Sequence, residues 1–158
     1  ELLMSTSYDS LLIVGVPMSE LYKPSVQKGQ KTKYDPDTGK PSQVEIKMLH
    51  ATFGNKTLPP VAQREKERSW SQDEFYQDFD FLDALDLKVY LPSPEGYTSP
   101  EYVAEHGIVG ISLACGDNSK NGIVAVVQVT TAIDKVKKAL EQFGFTDEPF
   151  VCSQLTWG

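Results

Sequence analysis

The stretch Tyr34-Asp35-Pro36-Asp37-Thr38-Gly39-Lys40-Pro41, followed by Val44-Glu45-Ile46-Lys47-Met48, decides the fold. Pro36 presets φ for the first turn position, and Asp37 and Thr38 offer side-chain acceptors to nearby backbone. Gly39 supplies the left-handed conformation that closes a bulged hairpin. Val44 to Met48 alternates apolar and polar residues with period two, as a strand with one solvated face does. A hairpin is therefore expected here, and with it a sheet as framework.

Toward the N-terminus, Leu11-Leu12-Ile13-Val14-Gly15-Val16 is a six-residue apolar run closed by Pro17, short enough for a buried strand. Met4 reads as the natural start, with Glu1 to Leu3 a cloning remnant. Toward the C-terminus, residues 53–70 contain Gly54-Asn55, Pro59-Pro60 and the mixed-charge run Arg64 to Arg68. They read as a loop or linker between a strand-hairpin part and a C-terminal part. Ser71 is placed to cap a helix, with Glu74 at the capping-box position. In it Phe75, Phe79, Leu82 and Ala84-Leu85 recur near helical spacing.

From Leu87 the elements follow closely. Leu87 to Leu91 is a strand stopped by Pro92, and Ser99-Pro100 starts a helix that Gly107 ends. Ile108 to Ala114 and Ile123 to Val129 read as strands joined by the polar loop Gly116 to Gly122. Thr131 and Asp134 then frame a helix with the stripe Ile133, Val136, Leu140 and Phe143, ended by Gly144. A last strand runs from Phe150 to Leu155. The order strand, helix, strand, strand, helix, strand is the ferredoxin-like split β-α-β arrangement. The expected class is α+β: a mostly antiparallel sheet with two or three helices, in one domain over residues 1–158.

Composition narrows the partners. The 158 residues carry 15 Lys+Arg and 22 Asp+Glu, a net charge of −7. Residues 1–68 have a balance of +2 and residues 69–158 one of −9, so the charge is polarised along the chain. An acidic body is repelled by duplex phosphate, which argues against duplex binding. No apolar run approaches the ~18 residues that span a bilayer, and no signal-peptide pattern opens the chain. Cys115 and Cys152 are not in a C-x-x-C pair and read as reduced thiols of a cytoplasmic protein, with a cross-strand pair as the alternative.

No diagnostic catalytic motif is present. His50-Ala51-Thr52 resembles one of the two H-x-T motifs of the two-histidine phosphoesterases, which need one imidazole as base and another as acid. The second histidine, in His106-Gly107-Ile108, lacks the hydroxyl residue. Asp35-Pro36-Asp37-Thr38-Gly39 starts like a calcium loop, but Gly39 stands at a ligand position, so no metal or cofactor is expected.

Two charged poles remain. Asp73 to Asp86 holds six carboxylates and no basic residue, interleaved with aromatics; Asp78, Asp80, Phe81 and Asp83 are its candidate contacts. Lys31, Lys33 and Tyr34 are those of the lysine-rich hairpin, and Tyr97 that of the loop Pro92 to Tyr97. These features predict a non-catalytic, cytosolic interaction protein, of the kind found as accessory proteins of phages or mobile elements. It binds a protein partner through charged loops or the acidic helix, and its opposite poles allow homo-oligomers. The alternatives are a phosphoester hydrolase using His50 and Thr52, and single-stranded nucleic-acid binding by the hairpin.

Overall fold

The computed structural model describes residues 8–64, 75–92, 99–116 and 125–157. Strands β1 (Tyr8–Pro17), β2 (Tyr22–Tyr34), β3 (Pro41–Phe53), β4 (Lys56–Thr57), β5 (Val61–Ala62) and β6 (Lys88–Tyr90) come first. Helix α1 (Pro100–His106), strand β7 (Ile108–Gly116), helix α2 (Val126–Glu141) and strand β8 (Phe150–Trp157) complete the order. One four-stranded sheet runs β6-β7-β1-β8, every neighbouring pair antiparallel. The second is built on β2 and β3, with β4 and β5 both on the far edge of β3. The chain is α+β.

The apolar run 11–16 is the centre of the first sheet, flanked by β7 and β8. Val14 and Val16 join Val109 from β7 against Ala132, Val136 and Leu140, which recur at i, i+4 and i+8 on α2. The same cluster continues into Tyr22, Ala51 and Phe53 at the start of β2 and the end of β3, so one core serves both sheets. Each fully buried Val, Leu or Phe among them contributes about 1.5–3 kcal/mol by leaving water. Helix α1 starts as its sequence implies: the Ser99 Oγ accepts from the Tyr102 N–H at 3.1 Å, with Pro100 at the first helical position.

Three expectations change. Val126 to Val129 are not in a strand: Val126 begins α2, whose start is tied by the Gln128 Oε1 accepting from the Ala125 N–H at 2.9 Å, and the expected strand's first residues, 123 and 124, lie outside the described residues. Thr131 is no cap. Its hydroxyl donates to the Val127 carbonyl one turn back, at 2.7 Å, inside the helix. Among the described residues the order from residue 88 is strand, helix, strand, helix, strand, and the sheet includes a strand from the N-terminal part of the chain, β1, between β7 and β8.

The acidic helix also gives way. Within the described residues, 75–79 are irregular and Asp80–Leu85 is a 3-10 helix that ends at Asp86 in the left-handed region, φ 57°. Four aspartates at 78, 80, 83 and 86 have no basic residue one turn away to relieve them. Phe81, off the apolar stripe, instead packs edge-on against Phe53 and Phe143 at 5.3 and 5.8 Å. Burying Phe79, Phe81 and Leu82 together demands a tighter winding than one helical stripe allows.

The two cysteines are separated by a whole strand. Cys115 pairs with Leu11 on one side of β1 and Cys152 with Ile13 on the other. Two strand spacings are about 9.6 Å, beyond disulfide reach, and Cys152 is a free thiol.

Candidate functional site

The hairpin forms where its turn predicts. Asp35 N–H donates to the Lys40 carbonyl at 3.0 Å, Gly39 N–H to the Asp35 carbonyl at 2.8 Å, and Gly39 has φ 67°. The Asp35 carboxylate accepts from the backbone N–H groups of Asp37 and Thr38, which lowers its pKa and accounts for the calcium-like sequence as turn chemistry.

The turn closes a long arm. β2 and β3 pair over thirteen residues each, from Tyr22 opposite Phe53 to Tyr34 opposite Pro41. Tyr22, Leu49, Ala51 and Phe53 are buried at the foot, whereas no residue from Lys23 to Met48 is buried. β4 and β5 pair with β3 from Met48 onward and Gln63 N–H donates to the Lys47 carbonyl at 2.9 Å, so beyond Lys47 the arm is two-stranded among the described residues. A bare two-stranded ribbon is marginal in water, and here the foot anchors it. Gly54 N–H donates to the Leu21 carbonyl at 2.8 Å and Asn55 N–H to the Phe143 carbonyl at 3.0 Å, tying the foot to the end of α2.

Register sorts the arm into two faces. One carries Lys28 directly opposite Lys47, a repulsive pair eased by Glu45, 3.6 Å from the Lys28 ammonium. The other carries Val44, Ile46 and Met48 opposite Lys31, Gly29 and Gln27. These three apolar side chains are half-buried, yet they lie outside the core cluster and outside the apolar residues packed on it. Gly29 leaves the space Met48 occupies, since a Cβ there would sit 2.4 Å from the Met48 Cγ. The sequence showed this alternation, but not that its apolar side stays outside the core. Lys31, Lys33 and Tyr34 crown the arm, with Tyr34 70% exposed.

At the foot lies an open groove of about 280 Å³ lined by Phe79, Leu82, Leu87 and Val89 together with Asp80 and Asp83; the two leucines are buried, Phe79 and Val89 half-buried and the two carboxylates exposed. Asp78 Oδ1 accepts from the Asp80 N–H at 2.8 Å, and the negative charge of Asp78 raises the Asp80 pKa. Asp86 is bridged by Lys135 at 3.1 Å; Asp78, Asp80 and Asp83 have no cation partner among the described residues. Phe81 is turned into the aromatic cluster, with the Lys56 ammonium 5.4 Å above its ring. Tyr76, 59% exposed, is the displayed aromatic of this segment; it lies off the expected helical stripe, so periodicity did not single it out. Tyr97 lies outside the described residues.

Comparison with protein-family models, curated proteins and solved structures finds no match. The site must speak through its own chemistry. His50 is on the arm opposite Ser25, and His106 ends α1 with its ring 4.8 Å from that of Tyr102. No hydrogen bond, ion pair or ring contact among the described residues joins the two histidines. Nor do three His, Cys, Asp or Glu side chains among them converge as a metal set. No helix among the described residues is long and apolar enough to cross a membrane.

Proposed function

We propose that this chain is a non-catalytic interaction protein that grips another protein with the β2–β3 arm. One observation carries the reading: two strands of thirteen residues pair throughout, yet nothing between Lys23 and Met48 is buried. Folding alone gives no reason to extend a ribbon that contributes nothing to the core, because ordering each residue costs about 1–2 kcal/mol of backbone entropy. The apolar row Val44, Ile46 and Met48 offers contact area, and the flanking lysines offer electrostatic selection of an acidic partner. A cytoplasmic setting agrees with the unpaired thiol of Cys152.

The test is an arm-shortened chain in which Asn-Gly replaces residues 28–47 and joins Gln27 to Met48, already a register pair. Both chains are immobilised and exposed to host extract at low and high salt. A protein held by the full chain and lost by the shortened one supports the reading; equal retention overturns it.

A second reading draws on Tyr34 at the tip, displayed among lysines as a stacking platform for single-stranded nucleic acid. It requires oligonucleotide affinity that falls steeply with salt and is lost in Tyr34→Ala.

A further inference from the structure

We propose that the arm's partner is a second copy of this chain, the arm of one copy lying in the acidic groove beside the foot of the next. The proposal rests on the reading of the arm as a gripping element and names what the arm holds.

Charge is the first argument. Residues 22–53 carry six lysines against Asp35, Asp37 and Glu45, a balance of +3. Residues 75–87 carry Asp78, Asp80, Asp83 and Asp86 and no basic residue, a balance of −4. Lys135 answers Asp86, and Lys88 stands in the groove wall, which leaves the carboxylates of Asp78, Asp80 and Asp83 near one another without a cation partner among the described residues. Their mutual repulsion, felt in the raised Asp80 pKa, is relieved by a cation brought from outside.

Shape and polarity agree with charge. The arm presents Val44, Ile46 and Met48 with Lys31 beside them, and the groove presents the half-buried Phe79 and Val89 together with the exposed Asp80 and Asp83. An apolar strip bordered by a cation meets a groove that mixes apolar side chains with carboxylates. Each buried methylene contributes about 0.8 kcal/mol, and the charges set the direction of docking.

Geometry makes the contact intermolecular. Tyr22 and Phe53 at the foot pack on Phe79 and Phe81, the segment that builds the groove. Tyr34 is twelve residues further along a continuously paired strand, about 40 Å away. A paired ribbon cannot bend back over that distance, so the arm does not reach its own groove. The two surfaces differ, so the contact is head to tail, and it closes into a ring or extends as a filament.

Two charge-reversal variants test this, Lys31→Glu with Lys33→Glu on the arm and Asp80→Lys with Asp83→Lys on the groove. All four residues are exposed, and circular dichroism and melting curves check that both chains fold. Sedimentation velocity across a concentration series, at low and high salt, reads assembly. The unmodified chain is expected to form species larger than a monomer that dissociate in salt. Each variant alone loses them, and the two mixed in equal amounts regain them, because the intact arm of one then meets the intact groove of the other and the reversed arm meets the reversed groove. A monomeric unmodified chain at every concentration, a variant that assembles like the parent, or a mixture that stays monomeric overturns the proposal. If the parent is monomeric but the arm-shortened chain still loses a captured protein, this inference falls and the proposed function stands. If shortening the arm changes neither assembly nor capture, both fall.

Discussion

The Tyr22 ring meets the Phe79 ring edge-on, centroids 5.2 Å apart and planes at 77°, so the foot of the arm and the acidic segment are one packed unit. Tyr22 is 1% exposed and its hydroxyl has no hydrogen-bond partner among the described residues, and burial raises its pKa strongly. The ring stabilises this junction while the hydroxyl works against it. Tyr22→Phe is expected to be neutral or up to about 1 kcal/mol more stable. Tyr22→Ala removes the ring and costs about 3–5 kcal/mol. Urea denaturation of the two variants checks the order; a Phe variant clearly weaker than the parent would reveal a role for the hydroxyl.

Gly39 and Gly54 both adopt positive φ, 67° and 57°, but in different surroundings. A Cβ on Gly39 meets nothing within 4 Å, whereas one on Gly54 would sit 2.3 Å from the Phe143 carbonyl oxygen. Gly39→Ala should therefore cost only the left-handed backbone, about 1 kcal/mol. Gly54→Ala adds a clash with the end of α2, about 1–3 kcal/mol more. Thermal melts of the two should separate in that order.

Asp80 has its pKa raised chiefly by the charge of Asp78. A carboxyl that holds its proton more tightly when folded destabilises the fold above that pKa, and the penalty disappears as the pH falls through it. Asp78→Asn keeps the oxygen that accepts from the Asp80 N–H and removes the charge. It is expected to raise stability at neutral pH, with the gain fading as the pH drops through the carboxylate range near ~4. A series of denaturation midpoints against pH reads this directly, and a gain that persists in acid would assign it to something other than charge.

The Cys152 thiol is half-buried, its pKa raised by burial, and it donates weakly to the Ile13 carbonyl at 3.7 Å. In a Cys115→Ser background, Cys152 should react slowly with a thiol reagent in the folded protein and fast after unfolding, with the native rate rising at alkaline pH. Rapid native labelling at neutral pH would show that β8 opens readily at this point.

Much of the local structure was legible from residues that act on near neighbours. The hairpin turn rests on Asp35 and Gly39, the start of α1 on Ser99 and Pro100, and the central strand on an apolar run closed by Pro17, each complete within a few positions. The two charged poles could be read for the same reason, because charge is additive along a chain.

Where two long-range arrangements satisfy one local pattern, the sequence leaves both open. Val126-Val127 suits a strand by its branching, but it opens a helix because Ala132, Val136 and Leu140 further on have the sheet to cover. Phe81 looked displayed while the acidic segment was read as a regular helix, and the 3-10 winding turns it onto Phe53 and Phe143. The alternation from Val44 to Met48 reads the same whether its apolar side enters a core or stays outside one. By itself the sequence determined the turn, the alternation and the polarity of charge, which are properties of neighbours and sums. That β2 and β3 leave the core beyond their foot, with the carboxylate-lined groove beside it, was decided only by tertiary structure. It depends on where distant strands pair, and on how many side chains one shared core can bury.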